Sequence, residues 1–295
     1  MNNKLITVII VLVIIYAVAS ISSQFFKQGT FEDKIEIIPI NGVISIEGDD
    51  SGFYSIGSSS SDQILQDIKE ASEDKSVKGV IFEINSPGGA VVASQEIADA
   101  IKKINKTKYA VIREVGASGA YWIASANDKI IASPMSITGS IGVISSYLEF
   151  SKLFDKYGID YERLVAGEKK DIGTPFRDLT KEEKELLQKK LTTVHEFFIK
   201  EVAENRNMDL ESVRKAATGE FYLGQEAKEL GLIDELGNEE TAIELMKKEL
   251  KVEDISIIKK EHKKGLFELL SGVSYNMGRG FGSIFKEENL KVEAR

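Results

Sequence analysis

The chain has 295 residues, 42% hydrophobic and 29% charged, which suits one large folded domain or two small ones. A formal net charge of −9 with no long basic block argues against nucleic acid as a partner. There is no cysteine, which excludes disulfides, cysteine nucleophiles and thiolate-bound metals, and only His195 and His262 could supply an imidazole.

The N-terminus opens with an uncharged run, Leu5 to Ile21, followed by Phe25 and Phe26 before Lys27. A helix of about 17–25 apolar residues crosses a bilayer. Lys4 and the α-amino group stand on one side without an acid, and Glu32 and Asp33 stand on the other alongside Lys27 and Lys34, so the N-terminus is expected in the cytoplasm and the rest outside, in a single-pass arrangement. The alternative is a cleaved signal peptide, because Ala17-Val18-Ala19 has the small-x-small form of a cleavage site.

Lys34 to Ile46 reads as strand with a turn at Asn41-Gly42, and Gly48 to Ser61 as a Gly/Ser/Asp-rich loop. Ser61-Asp62 is expected to cap a helix whose face is Ile64, Leu65, Ile68 and Ala71. Gly79 to Ile84 is a buried strand, Val91 to Ile104 a helix, Tyr109 to Val115 a strand and Ala120 to Ala126 a helix. A helix over Leu148 to Tyr157 leads to a strand around Tyr161 to Val165. Thr180 with Glu183 opens a long helix to Asn205, with the stripe Leu187, Leu191, Val194, Phe198 and Val202. Gly224 to Asp234 reads as a short helix closed by a turn at Gly231, and beyond Glu253 the pattern weakens. Strands alternating with helices predict an α/β fold with a parallel sheet.

Two glycine-rich junctions stand out. Asn85-Ser86-Pro87-Gly88-Gly89 ends one strand, where a free Gly89 N–H could hold an oxyanion or could belong to a plain strand-to-helix turn. Gly116-Ala117-Ser118-Gly119-Ala120 ends another, with Ser118 either a nucleophile beside the Gly119 N–H or a helix cap. It is a near-match to a nucleophile elbow in which Ala120 replaces the last glycine. A serine hydroxyl needs a base. His195 falls in the middle of a long helix and His262 in the basic stretch Lys259 to Lys264, which turns the search to lysine. Lys169 and Lys170 come after an expected strand, but the residues alone do not choose the base. A lysine serves only if burial or neighbours lower its pKa toward neutrality.

In order, the two glycine-rich segments, Thr138-Gly139-Ser140-Ile141-Gly142 and Gly167 to Pro175 resemble short-form signal peptide peptidase A, over about Ile35 to Gly237. The resemblance implies a Clp-protease/crotonase-like ββα spiral core and a Ser–Lys dyad without metal or other cofactor. In it Ser118 matches the nucleophile, Lys170 the general base, Ser140 a serine that supports the base, and Gly89 and Gly119 the oxyanion hole; Lys169 does not align with the base. It further implies a homo-oligomeric ring whose sites are shared between protomers. The chain then divides into a membrane anchor at 1–27 that contacts lipid, a protease domain at 28–252 and a tail at 253–295. The expected substrates are peptides, namely signal-peptide remnants or similar apolar membrane peptides. The alternatives are a related protease clipping an integral membrane partner, a crotonase-type acyl-CoA enzyme and a non-catalytic scaffold. Apolar surface on Thr180 to Val202 and Leu266 to Phe285 suits a subunit interface or, for the latter, a membrane surface.

Overall fold

The computed structural model describes residues 33–47 and 58–261, nearly all within one compact unit that ends at Lys259. The apolar run Leu5 to Ile21, most of the Gly48 to Ser61 loop and the segment Leu266 to Phe285 lie outside the described residues. Among the described residues no helix is long and apolar enough to cross a membrane.

The elements in chain order are β1 (Lys34–Asn41), β2 (Val43–Ser45), β3 (Ser58–Ser60), α1 (Ser61–Glu73), β4 (Val77–Ser86) and α2 (Val91–Lys103). Next come β5 (Thr107–Ala117), α3 (Gly119–Ser125), β6 (Lys129–Ala132), β7 (Ile137–Gly139), α4 (Ser151–Tyr157) and α5 (Lys181–Arg206). The last are α6 (Leu210–Ala216), β8 (Phe221–Leu223), α7 (Gly224–Glu229), β9 (Glu235–Leu236), α8 (Glu239–Leu250) and β10 (Ser256–Lys259).

The main sheet runs β10-β1-β4-β5-β6-β9, every neighbouring pair parallel. β7 pairs parallel with the last three residues of β5 and carries β8 antiparallel, while β2 and β3 form a small separate parallel pair. A parallel sheet buried on both faces needs apolar residues in nearly continuous runs, and β1, β4 and β5 have them. Ile38, Ile40, Val80, Phe82, Ala110 and Ile112 face α1, α2, α3 and α5. Ile35, Ile37, Ile81, Tyr109 and Val111 face α8 through Ala242 and Met246.

The parallel α/β architecture is as the sequence predicts, with local corrections. The cap of α1 is Ser60, whose hydroxyl accepts the Gln63 N–H, one residue earlier than expected. The end of the expected Gly48 to Ser61 loop is strand β3 and the first residue of α1. The boundary expected at 252 falls short, because Ser256–Lys259 pairs with β1 and Lys259 Nζ reaches the buried Glu83 at 2.7 Å. The expected helix Leu148 to Tyr157 shortens to Ser151–Tyr157, and Tyr161 to Val165 forms no strand. Those five residues are exposed and pair with no strand among the described residues, so their β-branched and aromatic character has nothing to act on. The capping box opening α5 is present in both directions, Glu183 N–H to Thr180 Oγ1 at 3.1 Å and Thr180 N–H to Glu183 Oε2 at 2.9 Å. Its apolar stripe is buried only from Phe198 onward; Leu187, Leu191 and Val194 are half-buried.

Ile81 sits at the centre of the sheet with no exposed surface. Ile81→Ala should cost about 2–5 kcal/mol, read as a lower urea midpoint at unchanged slope. A loss well below 1 kcal/mol would mean that the sheet centre can collapse around the gap.

Candidate active site

β5 delivers Ser118 and β4 delivers Gly89, because parallel strands bring their C-terminal ends to the same rim. Ser118 comes directly after the last residue of β5, and its N–H donates to the Gly139 carbonyl at 2.8 Å, extending the β5–β7 pairing. Its backbone then turns through φ 53°, ψ −125° before α3 begins. A positive φ is uncommon for a side chain other than glycine and stores strain of about 1–3 kcal/mol. Ser118 occupies the cap position of α3, yet its side chain makes no capping bond there. The helix-cap explanation of this serine therefore fails. Among the described residues its hydroxyl has no partner.

Two backbone donors flank it. Gly119 is the first residue of α3, so its N–H has no acceptor within the helix. Gly89 forms a bridge to Ile44 that uses Ala90 N–H and Gly88 C=O, and among the described residues its own N–H has no acceptor. The two glycines are close: a Cβ built on Gly119 would stand 3.4 Å from the Gly89 nitrogen. Neither tolerates a side chain. A Cβ at Gly89 would lie 2.0 Å from the Ile44 carbonyl oxygen, and one at Gly119 would lie 2.3 Å from Ser94 Oγ.

Ser118, Gly89 and Gly119 open into a cavity of about 490 Å³ that Ser140 also lines. Ser140 has φ 50°, donates its N–H to the Glu220 carbonyl at 2.8 Å and its hydroxyl to the Gly219 carbonyl at 3.2 Å. The inner wall is apolar, with Trp122 stacked on Phe198 at 4.7 Å between ring centroids.

His195 also lines this cavity, a placement that its mid-helix position in the sequence does not suggest. A signal was present: His195 stands next to Val194 and three residues before Phe198, beside the stripe that turns inward. Its Nε2 lies 3.1 Å from the Ile141 carbonyl oxygen, which can only accept, so that nitrogen carries a proton.

Lys170 is not at this cavity. It sits on an arm between Ile141 and Glu183 in which no described residue is buried. Among the described residues, no ion pair or side-chain hydrogen bond involves Lys170. Next to it, Asp171 accepts forked bonds from Arg163 at 2.7 and 2.8 Å and from Arg177 at 2.9 and 3.0 Å. Those guanidinium groups, Arg163 foremost, hold the Asp171 carboxyl well below the usual carboxylate range. Among the described residues no group of three or more His, Cys, Asp and Glu side chains could hold a metal ion.

Comparison with known proteins adds two family models and three relatives. The family model "Peptidase family S49" matches residues 100–253, and that for Clp protease matches residues 53–138. The chain is 40% identical over 225 residues, 75% of its own length and 71% of the other's, to a Methanocaldococcus jannaschii protein provisionally named a protease. It is 37% identical over 248 residues, covering 83% of this chain and 72% of the relative, to an Enterococcus faecium protein with the provisional name signal peptide peptidase SppA. It is also 32% identical over 214 residues to Protease 4 of Haemophilus influenzae, covering 72% of this chain and 34% of that one.

The strained backbone at Ser118 yields a prediction about stability. Elsewhere in a strand or helix, glycine is less stable than alanine by about 0.5–1 kcal/mol. At position 118 the order should reverse, with Ser118→Gly more stable than Ser118→Ala by about 1 kcal/mol in urea denaturation. An alanine variant as stable as the glycine one would show that the positive φ carries no strain.

Proposed function

The chain belongs to peptidase family S49 and is a serine peptidase, and from that premise we propose that it cuts peptides with Ser118 as nucleophile and Lys170 as general base. The observation that carries the reading is the backbone of Ser118: a serine held at φ 53° with an unpartnered hydroxyl, between two unclaimed N–H groups. Membership of a peptidase family sets aside the acyl-CoA and scaffold alternatives.

In the proposed mechanism the neutral Lys170 amine takes the Ser118 proton as Oγ attacks the peptide carbonyl. The Gly89 and Gly119 N–H groups hold the oxyanion, and Ser140 supports the base. Lys170 returns the proton to the departing amine, and a water then hydrolyses the acyl-enzyme. Serine and base come from adjacent protomers of a ring. The arm supports this: it extends from the core with Ile144, Leu148 and Leu164 exposed, and its lysine is away from the serine cavity of its own chain. The N-terminal run 1–27 is proposed to anchor the domain outside the cytoplasmic membrane. The substrates are proposed to be signal-peptide remnants or similar apolar membrane peptides, which suit the apolar wall of Trp122 and Phe198. A related membrane protease clipping an integral partner would use the same site.

A second reading has one observation in its favour, the placement of His195 in the Ser118 cavity. It makes His195 the base through its other ring nitrogen. Four variants separate the two readings: Ser118→Ala, Lys170→Ala, Lys169→Ala and His195→Gln. The lysine reading expects peptide hydrolysis and fluorophosphonate labelling to collapse by orders of magnitude in the first two and to persist in the last two. Activity should also rise with pH into the alkaline range, since only the deprotonated amine is a base. Mixing exchanged Ser118→Ala and Lys170→Ala subunits should restore part of the activity. A folded but dead His195→Gln beside an active Lys170→Ala would transfer the role to the histidine, and no recovery after confirmed exchange would put both groups in one chain.

A further inference from the structure

The turn that carries Lys170 is held outside the core, by a small aromatic cluster of Phe154 and Tyr161 on Phe176 and by charge. No residue between Ile141 and Glu183 is buried, so core packing fixes nothing there. Within the turn, Gly167 takes φ 98°, and the Lys170 N–H and Thr174 N–H donate back to the Gly167 and Asp171 carbonyls at 3.0 Å each. What ties the turn to the body of the protein is a chain of charged side chains. Arg163 grips both flanks of the lysine pair, donating to the Glu168 carbonyl at 2.7 Å as well as to both oxygens of Asp171. Arg177 takes the same two oxygens from the other side. It then forks onto Glu183 at 2.7 and 2.8 Å. Glu183 is buried at the N-terminus of α5 and caps that helix through Thr180, and α5 runs into the core at Phe198 and Val202.

We propose that the chain Arg163–Asp171–Arg177–Glu183 is the positioning device of the base, holding Lys170 at a fixed place and keeping it free of an ion pair. This rests on the reading of Lys170 as the base. Asp171, Arg177 and Glu183 keep only 12, 20 and 6% of their side-chain surface exposed, so the three two-toothed pairs hold the arm together as a network as well as defining its geometry. What forked arginine–carboxylate pairs do supply is geometric definition. Catalysis uses such definition, because a misplacement of about 1 Å can cost roughly 100-fold in rate. The second effect is electrostatic. Asp171 is the carboxylate adjacent to Lys170 in sequence, and a salt bridge between them would hold the lysine protonated and useless as a base. With both its oxygens taken twice by arginine, Asp171 has no capacity left for it.

The test uses the full-length assembled enzyme and a peptide substrate. Arg163→Gln and Asp171→Asn should each lower kcat by about 10- to 100-fold with KM within about twofold. Subunit mass in solution should stay at the wild-type value. Arg163→Lys keeps the charge without the fork and should recover only part of kcat. Lys228→Gln, which breaks the exposed Lys228–Glu235 pair (2.8 Å) away from the arm, should leave kcat unchanged. Wild-type kcat in both Arg163→Gln and Asp171→Asn, with Lys170→Ala inactive, overturns the inference alone. So does a fall in kcat that comes only with loss of assembly. An active Lys170→Ala overturns the choice of base, and the inference with it.

Discussion

The pairing of β4 with β5 is regular through Ile84 opposite Ile112 and then breaks, resuming with Ser86 opposite Gly116. Two extra residues of β5 are accommodated in the gap, and Asn85 spans it by accepting the Val115 N–H at 3.2 Å. An irregularity of this kind bends the strand and re-aims the residues beyond the bend. Past that point β5 keeps β4 on one side and exchanges β6 for β7 on the other, with Val115 opposite Ile137 and Ala117 opposite Gly139. This partner switch presents Ser118 to the Gly139 carbonyl and brings Ser140 to the same cavity.

The two halves of the proposed chemistry therefore sit in different physical settings. The serine and its backbone donors are fixed by a sheet core in which Phe82, Ile84 and Ile112 have about 1% exposure or less. The lysine sits on an arm held by charge and by a small aromatic cluster, Phe154 and Tyr161 on Phe176 with centroids 5.6 and 5.3 Å apart. Core packing resists change in any solution in which the protein is folded. An arm of ion pairs responds to salt and to subunit contacts.

The same division separates the parts that were legible in the sequence from those that were not. β4, β5, α2 and α5 were readable because a parallel sheet demands apolar runs and its covering helices demand stripes, and those patterns are local. Tyr161 to Val165 misled for the same reason: the run has strand character, but pairing requires a neighbour, which local pattern does not reveal. Strand β10 was lost in the opposite way, since four residues beside a lysine-rich tail carry almost no periodic signal and gain their structure from the edge of β1. The glycine-rich junctions announced a site at the strand ends. The positive φ at Ser118, the Ile44 carbonyl against Gly89 and the inward turn of His195 are tertiary facts with no local code.

The backbone angle at Ser118 also has a consequence for the history of such a chain. At φ 53° and ψ −125° glycine is the residue that fits without strain, whereas a β-branched residue there is a severe outlier. Threonine, the substitution usually counted as mild for serine and itself a usable nucleophile, is thus among the worst choices at position 118. A lineage abandoning the chemistry could drift to glycine and keep its fold. One exchanging the nucleophile for its nearest chemical relative would have to rebuild the turn first. Descendants of this architecture that have lost catalysis should therefore be easier to reach by mutation than descendants with threonine in the serine's place.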